Sequence, residues 1–165
     1  MDDTAAGALT LRPATAGDVE AIATLWHDGW RDGHLGHTPE ALLAHRTPDS
    51  FRRRVPPRLE ATTVAAIGSR VVGFVVVLGD EVEQIYVAAS ARGVGVAGAL
   101  LRHAEAAIAG RFDLAWLAVA TGNARACRFY IREGWIDARA IDYDAEIDSG
   151  TVTVPCRRFE KRVRP

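Results

Sequence analysis

Three stretches rich in β-branched residues, Thr62–Ile67, 71–78 and Glu81–Val87, follow one another with only Gly68-Ser69-Arg70 and Gly79-Asp80 between them. Connections this short join antiparallel neighbours, because a parallel crossover needs about a dozen residues or more. The spacing predicts a β-meander, so the fold must accommodate three consecutive hairpin-linked strands.

Leu9-Thr10-Leu11-Arg12 alternates briefly before Pro13, and Asp18 stands where an N-cap would open a helix carrying Val19, Ile22, Ala23, Leu25 and Trp26. Across 30–58, the breakers Gly33, Gly36, Pro39, Pro48, Pro56 and Pro57 divide the chain into short helices near 40–45 and 49–54. This is where substrate-specific structure is expected. After the meander, Val96, Leu100, Leu101, Ala104 and Ile108 repeat with helical period. A short buried strand over 113–119, a helix over 124–133 and a last pair of strands over 135–143 and 151–159 complete the pattern. The last pair would flank a loop holding Asp142, Asp144, Glu146, Asp148 and Gly150. The predicted order is β-α-α-β-β-β-α-β-α-β-β, an α/β (α+β) chain with a mixed, mostly antiparallel sheet flanked by helices. One domain over 1–165 is expected, with a flexible start at 1–8.

The 165 residues carry a formal net charge of -1, which leaves no electrostatic surplus for nucleic acid or an acidic membrane surface. Only Cys127 and Cys156 are present, and they form neither a disulfide framework nor a zinc cluster. The apolar run 71–78 is too short to span a bilayer, and 1–8 holds two aspartates in place of a basic signal-peptide start. A cytoplasmic protein is expected. His27, His45 and His103 lack metal-ligand spacing, so no metal is predicted. Lys161 is the only lysine, a bias that carries no mechanism by itself.

The chemistry concentrates in Val87-Ala88-Ala89-Ser90-Ala91-Arg92-Gly93-Val94-Gly95-Val96-Ala97-Gly98: a strand end, a basic residue, a glycine-rich turn and a helix start. Glycines let the backbone approach a ligand, and unpaired amides at a helix N-terminus favour negative charge, so a phosphate group is expected there. The bland reading is a tight strand-to-helix connection. Gly93, Gly95 and Gly98 also satisfy the G-x-G-x-x-G spacing of dinucleotide-binding oxidoreductases, with Asp113 near the place of a ribose-binding acid. That fingerprint requires a parallel β-α-β unit, whereas the strands before this one are hairpin-linked.

Arg92-x-x-Gly95-x-Ala97, followed by Asn123-x-x-Ala126-x-x-x-Tyr130-x-x-x-Gly134-Trp135, resembles the GCN5-related N-acetyltransferases, the GNAT superfamily. The likeness runs over almost the whole chain, from Leu11-Arg12-Pro13-Ala14 onward. Ala89 departs from it, standing where many relatives have proline. The resemblance implies acetyl-CoA as cosubstrate, held by Arg92, Gly93, Val94, Gly95, Val96, Ala97 and Gly98. It further implies that Glu81–Val87 splays from the strand at 113–119, leaving a V-shaped gap where the pantetheine arm meets the backbone of Ile85, Tyr86 and Val87. The acceptor would be an amine of a small molecule or a peptide, and a homodimer through the terminal strands would follow the family's habit.

In that reading an N–H of Val87 or Ala88 stabilises the oxyanion, and Tyr130 protonates the departing thiolate. Asn123 serves as helix N-cap, as pantetheine ligand, or as both. Glu81 and Glu83 share a strand face, either can act as general base, and Glu83 lies nearer the bond-forming centre. The bland reading makes the glutamates a solvated face and Tyr130 a core aromatic. Trp30, His34, His37 and the acidic loop belong to segments that wall the acceptor side in such folds, which admits a cationic acceptor. For Trp30 the plainer reading is core packing, and for the acidic residues a solvated hairpin tip. A chain of this fold that binds acyl-CoA without transferring the acyl group, as a sensor, is the alternative from another functional class.

Overall fold

The structure, a computed structural model, describes residues 7–165, so residues 1–6 of the expected flexible start lie outside it. The strands are β1 (Leu9–Pro13), β2 (Thr62–Ile67), β3 (Arg70–Leu78), β4 (Glu81–Val87), β5 (Leu114–Ala120), β6 (Ile136–Ile147) and β7 (Gly150–Arg162). The helices are α1 (Val19–His34), α2 (Glu40–Leu43), α3 (Pro48–Arg54), α4 (Val96–Ala109) and α5 (Ala124–Arg132). The seven strands form one sheet in the order β1-β2-β3-β4-β5-β7-β6. Every neighbouring pair is antiparallel except β4–β5. The meander, the β-α-β-α stretch and the closing hairpin all stand in the predicted order.

Alternation along the strands sends apolar side chains to both faces, and each face is covered by helices. Val75, Val82, Leu117 and Phe159 pack with Leu100 and Leu101 of α4 on one side. Val64, Phe74 and Val76 pack with Trp26 of α1 and Phe51 of α3 on the other. Each fully buried side chain of this size contributes about 1.5–3 kcal/mol relative to exposure. The sheet is therefore a middle layer, and whatever opens between its strands opens into both cores.

Two local expectations need correction. The acidic segment is strand as far as Ile147, and of its carboxylates only Asp148 keeps to the turn. β6 continues to Ile147 and pairs with β7 up to Ile147↔Gly150, so Asp142, Asp144 and Glu146 are the outward members of a strand. Their partners Ile141, Tyr143, Ala145 and Ile147 turn inward onto the α1 face. Asp18 does immediately precede α1, but its carboxylate does not cap that helix. It turns back to accept from Thr15 N–H at 2.8 Å and from both terminal nitrogens of Arg12 at 2.8 and 2.9 Å. The Arg12 guanidinium is the main reason its pKa falls to about 2.

Gly29 lies inside α1, where an alanine would improve helix propensity by about 1 kcal/mol. A Cβ there would overlap the Tyr86 ring, which packs directly on the helix backbone. We expect Gly29→Ala to destabilise the protein by about 1–3 kcal/mol despite that gain, as overpacking does, measured by urea denaturation. Asp18→Ala should also destabilise at neutral pH. A folded-state pKa below the ordinary value of 3.8 means that the carboxylate's contribution is present above that value and is lost as pH falls through about 2. Wild type and Asp18→Ala should therefore converge in stability toward pH 2.

Candidate active site

β4 and β5 touch through one parallel bridge, Glu81↔Trp116. Asp80 reinforces it, its carbonyl accepting from Trp116 N–H at 3.0 Å and its carboxylate from the indole Nε1 at 3.1 Å. Beyond the bridge the strands diverge. β3 pairs β4 along its other edge and β7 pairs β5 along all of 114–120, so only the edges facing the gap lack a ladder. Buried backbone groups without a ladder require another partner. A cavity of about 890 Å³ opens there, walled by 82–87 of β4 and 117–120 of β5.

The glycine-rich turn closes one side. Gly93 and Gly95 have φ of +79° and +88°, the left-handed region that glycine tolerates, and Gly95 precedes α4 with no side chain capping the helix. The first amides of α4 are thus free to meet an anion. Arg92, Gly93, Gly95, Val96, Ala97 and Gly98 line the cavity. Val94 does not and is 68% exposed. Arg92 already has a partner, donating to Asp32 of α1 at 2.8 Å.

From α5, Asn123 and Tyr130 both reach the cavity. Asn123 Oδ1 accepts from Ala126 N–H at 3.3 Å, which is the cap reading. Tyr130 is buried against Phe129, Trp135 and Phe159, which is the core reading, and its hydroxyl has no hydrogen-bond partner among the described residues. Burial pushes its pKa well above the usual phenol value. Arg125, Arg128 and Arg132 of the same helix also line the cavity. Their i, i+3, i+7 spacing is visible in the sequence and is the signal that could have found them.

The glutamates lie toward α1–α3. A β-bulge separates the pairs Val76↔Gln84 and Val77↔Val82, leaving Glu83 as the extra residue. The bulge shifts the alternation: Val82 and Ile85 both pack on the α4 side, while Tyr86 joins the glutamates on the α1 side. Simple alternation sets Tyr86 opposite the glutamates, so its place on their wall could not be read from the sequence. Glu83, with a side chain only 7% exposed, accepts from Arg58 Nε through both oxygens at 3.0 Å. Glu81 accepts from the Tyr143 hydroxyl at 2.8 Å, and burial raises its pKa while that bond opposes the rise. The N–H of Ala88, one of two expected oxyanion donors, is spent on the Val72 carbonyl at 2.8 Å, which leaves Val87.

Trp30 satisfies both of its readings, being buried and on the cavity wall, stacked on His34 with ring centroids 5.0 Å apart. His34 Nδ1 donates to the Trp30 carbonyl at 2.9 Å, and burial lowers its pKa to about 4, so it is neutral at pH 7. His37 is off the wall, its ring against Gly122. Arg46, Arg54 and Arg58 complete this side and were not anticipated from the sequence. Among the described residues no cluster of three or more metal-type ligands occurs, and no helix is long and apolar enough to cross a membrane.

Residues 19–135, well over half of the chain, match the sequence profile described as the acetyltransferase (GNAT) family. The chain belongs to the GNAT acetyltransferase family. Solved GNAT-type structures agree on the fold. A GCN5-related N-acetyltransferase from Rhodopseudomonas palustris matches with TM-score 0.73 and 18% identity, covering 98% of this chain and 99% of that one. The PaiA N-acetyltransferase of Thermoplasma acidophilum, solved with coenzyme A, gives 0.67 and 16%, covering 94% and 99%. The putative acetyltransferase YncA of Salmonella typhimurium, solved with acetyl-CoA, gives 0.69 and 15%, covering 96% of each chain. No protein of curated function matches by sequence. The mixed sheet and its parallel β4–β5 junction are thus GNAT features of this chain.

Removing the Tyr143 hydroxyl deletes the hydrogen bond that most opposes the effect of burial on the Glu81 carboxylate. In Tyr143→Phe the Glu81 pKa should rise further, followed by NMR titration of the glutamate side-chain carbons.

Proposed function

We propose that this GNAT chain transfers an acetyl group from acetyl-CoA directly to a primary amine, with both substrates bound together in one domain spanning 1–165. The observation that carries this reading is the gap beyond Glu81↔Trp116: two strand edges without a ladder, a phosphate-fitting turn beside them, and titratable side chains across from it. The residues fit acetyl-CoA. The amides at 95–98 suit its pyrophosphate, the gap-facing backbone groups of Ile85 and Val87 suit the amides of its arm, whereas those of Tyr86 pair with Phe74 of β3, and Asn123 lines the same cavity.

Acetyl-CoA supplies an activated acyl group. A neutral amine nitrogen attacks the carbonyl carbon, the C–S bond breaks, and the amine's extra proton leaves to a base. Val87 N–H and, nearer Glu81, Ile85 N–H face the gap and are the backbone donors for the oxyanion. Glu81 is the better base of the two glutamates. Arg58 pins both Glu83 oxygens, whereas burial makes Glu81 more basic than an ordinary carboxylate, against the hydrogen bond from Tyr143 and the charge of Arg158. Burial keeps the Tyr130 proton on its oxygen, so the hydroxyl donates a hydrogen bond to the sulfur as negative charge develops there.

Release of CoA thiol from acetyl-CoA, measured against pooled amines, tests the reaction. Amine-dependent release is expected, whereas stabilisation by acetyl-CoA with no release to any amine would favour a binding module. Tyr130→Phe should lower kcat by about 10²-fold, the scale of lost acid–base assistance, with acetyl-CoA affinity nearly unchanged. Glu81→Gln should lower kcat and abolish the acid limb of the pH–rate profile.

A further inference from the structure

Three arginines from the proline-broken segment converge on the glutamate side of the cavity, and only one of them is neutralised. Arg58 bonds Glu83 and reaches Glu146 at 3.2 Å. Arg46, just past α2, is 6% exposed, and Arg54 ends α3. Neither guanidinium has a hydrogen bond or ion pair with any described residue, and the Nε of each is buried without a partner. Arg46 lies over the Trp30 ring at 5.9 Å and Arg54 over the Trp26 ring at 4.6 Å. An aromatic face recovers only part of what a buried cation loses in desolvation. The cost shows in their acidity: burial lowers the pKa of Arg46 to about 10 and that of Arg54 below its usual range.

A folded protein holds two unpaired cations on a cavity wall at a cost in stability, and a group that arrives with the ligand removes that cost. Guanidinium forks match the two oxygens of a carboxylate, and they repel a second positive charge on an acceptor. We propose that the acceptor is a small amine that also carries a carboxylate, as an amino acid does, with the carboxylate bound by Arg46 and Arg54. This rests on the acetyltransferase reading for the amine, but the anion site stands on the arginines alone. It runs against the cationic acceptor that the acidic residues of β6 suggested, because, of the two that line the cavity, Glu146 is already held by Arg58 and Asp144 accepts from the Thr153 hydroxyl at 3.3 Å.

The test compares free amino acids with their carboxamides as acceptors, alongside polyamines, in wild type, Arg46→Met and Arg54→Met. In wild type, kcat/KM should fall at least ~100-fold from acid to carboxamide, as expected for lost contacts to a buried charged pair. Each variant should lose activity toward the acid but little toward the carboxamide, with KM for acetyl-CoA unchanged. The empty variants should melt no lower than wild type, since an unpaired buried charge has been replaced by an apolar side chain. Thermal stabilisation by N-acetylamino acids in the presence of CoA gives a readout independent of turnover. If no amine is turned over while these acids still bind wild type and fail to bind Arg46→Met, the transfer reading fails and the carboxylate site stands. Equal turnover of acids and carboxamides, or no binding of any N-acetylamino acid, overturns the inference.

Discussion

The arrangement depends on how little of β4 and β5 is allowed to pair. One bridge at Glu81↔Trp116, braced by Asp80, sets the two strands parallel and fixes their origin. The full ladders on their outer edges then keep each strand from moving in to close the gap. Sheet twist separates strands that share so short a contact, and the twist is set by backbone sterics, not by any particular side chain. The opening is thus a property of topology, held in place by seven strands. The helices contribute by covering both faces, so that the gap is lined by protein rather than flooded from either side.

Within that frame, the two sides of the cavity are built by different means. On the α4–α5 side the backbone does most of the work: left-handed glycines, uncapped amides and strand edges. On the α1–α3 side the side chains do it: aromatic rings, two carboxylates and three guanidinium groups drawn from a segment with little regular structure. Backbone features suit a cosubstrate shared by a whole family, and side chains from a variable segment suit a partner that differs between its members.

The sequence displays the first kind of feature better than the second. The meander is legible because hairpins are local and β-branched runs ended by glycine leave few alternatives. Arg92, Gly95 and Asn123 are legible because turn and cap chemistry is also local. The extent of β6 is hidden because Asp142, Asp144 and Glu146 read as a polar loop, although Ile141, Tyr143, Ala145 and Ile147 between them keep strict period two. The bulge at Glu83 leaves no mark in composition, yet it moves Tyr86 to the other face. Arg46, Arg54 and Arg58 fall among prolines, where no periodicity indicates a face, and only the packing of α1 and α3 on the sheet shows that they converge.

Lys161 gains significance once the chain is seen as an acetyltransferase. Its ammonium group donates to both Glu105 oxygens at 3.0 Å and to the Glu133 carbonyl at 2.7 Å, tying α4 and the end of α5 to β7. All three of its protons are engaged in these bonds. Every other basic side chain that carries a permanent charge is an arginine, whose guanidinium is a poor acyl acceptor. Apart from Lys161, the chain carries no lysine on which an acyl group could be captured.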